Sequence, residues 1–210
     1  MKQEERRERA KNAIMLAGLK LFGTKGYSGT SVSMLEEETG FTRGSFFVHY
    51  KNMKAVFEET VNKFYLGRVT SCSVPNEYRS NLKGFYTKLV SMLGDECIEM
   101  IKNDVRHISK AYFILEQEAL LHISDFKQKY EDTMQYQLMV WENVMYKAKE
   151  SGEIPEDVPV KETASLFFTT ILGHAVDSSI KEKLCYTDGL MEKLNNLYRL
   201  IVNKKEVQTA

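Results

Sequence analysis

Apolar residues return every three or four positions through most of the chain, and no run alternates as a strand would, so the pattern predicts helices. Ala10, Ala13, Ile14, Ala17 and Leu21 make a first stripe, punctuated by Gly23 and Gly26. Two short units follow, over residues 31–39 up to Gly40, and from Thr42 to about Tyr50. Asn52 heads a fourth, with Phe57, Val61 and Phe64 on one face. The run SCSVPN, residues 71–76, is the first clear loop and the expected hinge between two parts. Beyond it come stripes at Tyr78–Leu82–Phe85–Leu89–Met92, at Val105–Ile108–Tyr112–Leu115–Ala119–His122, and at Phe126–Tyr130–Met134–Leu138–Trp141–Met145–Ala148. A turn with two prolines spans residues 150–159. Ala164, Phe167, Phe168, Ile171 and Ala175 lie on the next helix, expected to end near Leu184. Leu190, Leu194, Leu197 and Ile201 close the series after the break at residues 187–189, and the polar tail 203–210 is expected to fray. The whole reads as an all-α chain of about nine helices with no internal repeat.

Composition narrows the class. With 210 residues, 43% hydrophobic and 28% charged, the chain is that of an ordinary folded protein with room for a sizeable core. Three prolines and twelve glycines are too few for a turn-rich β protein. No apolar run approaches the ~20 residues of a membrane span, and the charged start MKQEERRERAK has no apolar signal core. Cys72, Cys97 and Cys185 form no CxxC pair and no disulfide framework, which suits a reducing cytoplasm. Net charge is zero, but residues 1–54 hold ten Lys/Arg against six Glu, so a +4 end sits on a −4 body. A basic end hints at an anionic partner there.

The two short units around Gly40 carry the functional signal. Each is under three turns, too short to stand alone. Gly40 accepts the positive φ that ends the first, and Thr42 is placed to cap the second across the turn G-F-T. This is a helix-turn-helix, whose second helix has the geometry to enter a major groove.

Residues from about 10 to 57 resemble the DNA-binding domain of the tetracycline-repressor (TetR) family of bacterial regulators. The resemblance rests on I-M-L-A-G-L-K-L-F (14–22), K-G-Y (25–27), T-S-V (30–32) and E-T-G-F-T-R-G-S-F-F-V-H-Y (38–50). Beyond it, only the general helical plan and S-G-E-I-P (151–155) are similar. The resemblance implies a DNA-binding domain over residues 1–54 and an effector-binding and dimerisation domain over 55–210. It differs from the family pattern at three places: Phe47 stands where the family usually has Tyr, Met53 where it has Lys, and Glu36 where it has Ala.

Candidate residues follow. Arg43, Gly44 and Ser45 open the recognition helix, the end that meets base edges. A bidentate Arg43–guanine pair is worth about 1–3 kcal/mol of discrimination. Gly44 permits close backbone approach, and His49, one turn beyond Ser45, is in reach of phosphate. Ser31 is placed to cap the preceding helix and Ser33 lies in its first turn; Thr42, Phe47 and Lys54 complete the expected DNA-facing set. The i,i+4 pair Ser45–His49 lacks a third orienting group for catalysis. Glu118–His122 is one carboxylate and one imidazole, short of a metal site. No phosphate-binding loop, dinucleotide fingerprint or zinc motif occurs, and no cofactor is expected.

For the larger part, Phe167, Ile171, Ala175, Leu190, Leu194, Leu197 and Ile201 are the expected dimer face, two helices per chain forming a four-helix bundle. Aromatic and Met residues exceed what a small bundle needs, so a cavity is expected among Phe64, Phe85, Tyr86, Leu89, Tyr112, Glu116, His122, Trp141 and Met145, the bland alternative being a filled core. The reading is a homodimeric cytoplasmic regulator, a repressor that binds a palindromic double-stranded operator and is released by a small apolar or aromatic effector, with no membrane role. Two rivals fit the same residues: a module of this fold that has lost DNA binding, and an all-α enzyme.

Overall fold

The computed structural model describes residues 3–202, so the expected fraying of the tail 203–210 lies outside it. Nine α-helices and no strand occur among the described residues. They are α1 (Gln3–Lys25), α2 (Val32–Thr39), α3 (Arg43–His49), α4 (Met53–Thr60), α5 (Leu82–Lys102), α6 (Ile108–His122), α7 (Phe126–Glu150), α8 (Val160–Ile180) and α9 (Leu190–Val202). No helix among them is long and apolar enough to cross a membrane.

Local chemistry sets the first elements. Ser31 Oγ accepts the Met34 N–H at 3.3 Å, Thr42 Oγ1 accepts the Ser45 N–H at 3.3 Å, and Asn52 Oδ1 accepts the Ala55 N–H at 2.9 Å, so each short helix starts on a side-chain cap. Gly40 ends α2 at φ +71°, donating its N–H to the Glu36 carbonyl at 2.8 Å. These helices hold together only through burial: Leu35 of α2, Phe46 of α3 and Val56 and Phe57 of α4 close on α1.

The buried arc of α1 is wider than its sequence stripe. Ile14, Met15, Ala17, Leu19 and Phe22 are buried, whereas Ala10, Ala13 and Leu21 are only half-buried. The reason is that α1 packs against α6 as well as against α2 and α4. Gly23 makes the approach to α6 possible: a Cβ there would stand 2.6 Å from the Ala111 Cβ on α6.

Helix α4 does not run on regularly past Thr60. It widens into a π-helical turn over Val61–Leu66 that closes at Gly67. The expected hinge holds two 3₁₀ turns, Ser71–Ser73 and Asn76–Tyr78. Tyr78 is therefore outside α5, which starts at Leu82 on an Asn81 cap, with the Glu153 carboxylate accepting the N–H groups of Leu82 (2.6 Å) and Lys83 (2.9 Å). Helix α8 ends at Ile180, four residues before the expected Leu184. The remaining helices α5–α9 form a second layer around Trp141, whose ring meets Phe85 edge-on at 4.8 Å and Phe167 at 5.6 Å.

Candidate nucleic-acid interface and effector cavity

The outer face of α3 is open. Arg43, Gly44, Phe47 and Val48 are exposed, and Phe46 on the opposite side is buried. The Arg43 guanidinium lies 5.7 Å from the Phe47 ring centroid and makes no ion pair among the described residues. A Cβ on Gly44 would meet only the Thr42 Oγ1, at 4.0 Å, so nothing inside the protein requires glycine there. Ser31 and Ser33 are exposed beside this face, and Ser45 is half-buried. His49 is half-buried with Nδ1 enclosed and unpartnered. Lys54 is exposed in the first turn of α4, 3.8 Å from Glu58. Of the acidic run, Glu38 is paired with Lys20 at 2.8 Å, which offsets its charge; Glu36 is half-buried and Glu37 exposed. The nearby Lys11–Glu59 pair, at 3.0 Å, ties α1 to α4.

A cavity of about 170 Å³ opens between α5, α6, α7 and α8, closed from one side by residues 65–71 and by Tyr186. Four of the residues expected in it, Leu89, Tyr112, Glu116 and Trp141, do line it. The other five lie elsewhere. Phe85, Tyr86 and Met145 are fully buried in the core, with Tyr86 donating to Asn195 Oδ1 on α9 at 2.8 Å. Phe64 borders a separate surface cleft, and the His122 ring lies tilted against Tyr27, 4.6 Å between centroids, at the far end of α6. Ile171 and Ala175, placed by the sequence on the dimer face, line the cavity too. Phe167, Leu190 and Leu194 are wholly buried within the chain, while Leu197 and Ile201 are half-buried.

Several wall residues escape the stripe reading. Arg68 and Ser71 follow the π turn, whose extra residue per turn breaks the helical count. Ser109 and Tyr186 sit beside element ends. Gln137 is four residues before Trp141, on its face of α7, so that spacing was a usable signal.

The wall is heavily bonded on one side. Tyr65 donates to the Glu116 carboxylate, and Arg68 donates to the Tyr65 carbonyl while stacking 4.0 Å over the Tyr65 ring. Glu96, behind the wall, accepts from the Val69 N–H (3.0 Å), the Tyr112 hydroxyl (3.2 Å) and the Tyr186 hydroxyl (3.1 Å). Burial pushes its carboxyl above the usual range, and those hydrogen bonds pull against that shift. The same burial, with Glu96 alongside, pushes the Tyr112 and Tyr186 hydroxyls well up.

One helix joins the two regions. Ser109, Tyr112, Phe113 and Glu116 of α6 face the cavity. Ala111 on the same helix meets Gly23 of α1, and the Glu118 carboxylate accepts the Tyr27 N–H at 2.8 Å in the loop before α2. Glu118 Oε2 also lies 3.5 Å from His122 Nε2.

Residues 14–60 match the family model described as bacterial regulatory proteins, tetR family. No curated protein sequence matches the chain. Among solved structures, NalD, the secondary repressor of the MexAB-OprM multidrug efflux pump in Pseudomonas aeruginosa, is similar over 94% of this chain and 98% of its own, at 20% identity and a TM-score of 0.62. A TetR-family transcriptional regulator from Cytophaga hutchinsonii is similar over 95% of this chain and 98% of its own, at 19% identity and a TM-score of 0.59. SmeT, solved as a triclosan complex, is similar over 92% of each chain, at 17% identity and a TM-score of 0.63. The helix-turn-helix that matches the tetR model is thus set in a TetR-like all-α fold along nearly the whole chain.

Proposed function

We propose that this protein is a ligand-responsive transcriptional repressor acting as a homodimer in the cytoplasm. Residues 1–54 contact a palindromic operator, with Arg43 reading bases and Lys54 and the caps of α2 and α4 meeting phosphate. Residues 55–210 dimerise and hold a small, largely apolar effector, and no step of catalysis is assigned. The observation that carries this reading is α6, which supplies the cavity wall through Ser109, Tyr112, Phe113 and Glu116 and, from the residues between and beyond them, the Ala111 contact with Gly23 and the Glu118 contact with Tyr27. A ligand that moves α6 bears directly on the helices that present α3, and shifts the population away from the operator-binding arrangement. The triclosan complex of SmeT, a neighbour in fold, supports an aromatic effector.

The dimer face in this reading moves outward from the sequence stripe. Leu166, Val176 and Ile180 form an exposed apolar line along α8, with Gly173 open between them and Leu200 exposed on α9. Spacings of seven, three and four residues along Leu166, Gly173, Val176 and Ile180 keep that line on one helix face. The test is selection of genomic fragments by the purified protein, followed by titration of the best fragment at several salt concentrations. A bound fragment with inverted half-sites about one helical turn apart is expected. Equal affinity for every fragment would refute operator recognition.

A further inference from the structure

We infer that the cavity selects a neutral, single-ring aromatic compound carrying a hydrogen-bond acceptor, an aryl ketone or its chemical like, and that the Trp141 indole N–H is the donor that reads it. This rests on the proposed effector role of the cavity and names the class of its ligand.

Size comes first. The cavity holds about 170 Å³, and an apolar cavity of about 150 Å³ takes one benzene ring. Leu89, Leu93, Phe168, Ile171 and Leu172 give it apolar walls for such a ring.

The unused polar atoms come next. Trp141 is 0% exposed, and its Nε1 has no hydrogen-bond partner. Ser109 Oγ is likewise buried and unpartnered. The Gln137 side-chain amide N–H groups reach only the Met134 sulfur, at 4.0 Å, while its carbonyl oxygen accepts from Ser71 at 3.3 Å. All three residues line the cavity, and all three are at least nine-tenths buried. An indole N–H only donates, and the Gln137 nitrogen only donates. The buried part of the wall therefore has a surplus of donors, and buried donors without partners are rare enough to need a reason. A ligand acceptor supplies the partner.

Charge decides between neutral and ionic acceptors. Arg68 and Glu116 are the charged residues of the wall, opposite in sign and both partly exposed. No cation lies among the buried donors to neutralise a carboxylate, and no carboxylate lies there to hold an ammonium. Arg68 and Glu116 are already bonded to Tyr65, so an ion seated on the buried donors would lose its water there without recovering an opposite charge, and the fitting group is a carbonyl, ether or ring nitrogen.

The test compares four probes of nearly one shape: acetophenone, cumene, benzoate and 1-phenylethylamine. Their affinities are measured by calorimetry on the full chain, beside displacement of a bound DNA fragment. Acetophenone is expected to bind about five- to tenfold tighter than cumene, the worth of one neutral hydrogen bond, with both ions weaker than acetophenone. Trp141→Phe keeps an aromatic ring and removes the donor, and is expected to bring the acetophenone-to-cumene ratio towards one. Ser109→Ala, a smaller change, is expected to narrow it as well and stands in should Trp141→Phe unfold. Cumene binding as tightly as acetophenone, or a ratio unmoved in both variants, would overturn the acceptor assignment while leaving an apolar site in place. Failure of every probe to bind would overturn the ligand role of the cavity itself. Tight acetophenone binding without DNA release would keep the site and refute the repressor mechanism.

Discussion

Replacing Gly23 by alanine tests the α1–α6 joint on which the proposed ligand response depends. The added Cβ would stand 2.6 Å from the Ala111 Cβ and 3.0 Å from its Cα. Carbon atoms are comfortable at about 3.5–4.0 Å, so the helices must part by about 1 Å. Overpacking of this kind costs about 1–3 kcal/mol. Alanine in place of glycine within a helix returns about 0.8–1 kcal/mol. The expected net loss is about 0–2 kcal/mol, and each kcal/mol lowers the melting temperature of a chain this size by about 2–4 °C. Ala111→Gly removes the opposing Cβ, leaving the 3.0 Å approach to its Cα. The double variant should therefore recover part of the loss, a coupling of about 0.5–1 kcal/mol in a double-mutant cycle. Urea unfolding followed by circular dichroism gives the energies. Fluorescence anisotropy on an operator fragment gives the functional readout, where the single variant should show altered affinity without any ligand. A Gly23→Ala protein as stable as the wild type, with an additive cycle, would falsify the close contact and the coupling built on it.

Three further outcomes are expected. Arg43→Ala should lose about 1–3 kcal/mol on the specific operator and little on random DNA, whereas Lys54→Ala should weaken both and lower the salt slope by about one; equal losses for Arg43→Ala would contradict base readout. Ile180 is 74% exposed in the single chain, so Ile180→Glu should leave the fold intact and yield monomers by light scattering at micromolar concentration, a wild-type monomer being the contrary result. His174 is buried in α8, and burial, with Lys193 and Lys183 nearby, holds its pKa below the usual 6.5 against a weaker opposing pull from the Tyr186 backbone and Asp177. Between that lower value and 6.5 the unfolded chain binds a proton that the folded chain does not, so this contribution is full above pH 6.5 and declines as pH falls through the window. Unfolding at pH 7.5 and 5.5 should show a smaller difference in His174→Asn than in the wild type.

The ends of the N-terminal helices are written locally, and the sequence alone determines where they start and stop. Ser31, Thr42 and Asn52 bond backbone N–H groups three residues on, and Gly40 takes a φ that other residues resist. Caps and turns of this kind involve atoms close in the chain, so residue type and spacing suffice. The nine-helix plan is legible for a similar reason, because periodicity records that one face of each segment is covered. It does not record what covers it. Leu190, Leu194 and Phe167 turn into their own chain, Ile171 and Ala175 face the cavity, and the exposed line passes to Leu166, Val176 and Ile180. Packing of α1 against α6 as well as α2 and α4 widens its buried arc beyond one stripe, and the π turn after Thr60 shifts Arg68 out of helical register into the wall. The cavity and its unpartnered Trp141 N–H exist only where α5–α8 leave space between them. A gap is a property of several elements packed together, and no single stretch of sequence contains it.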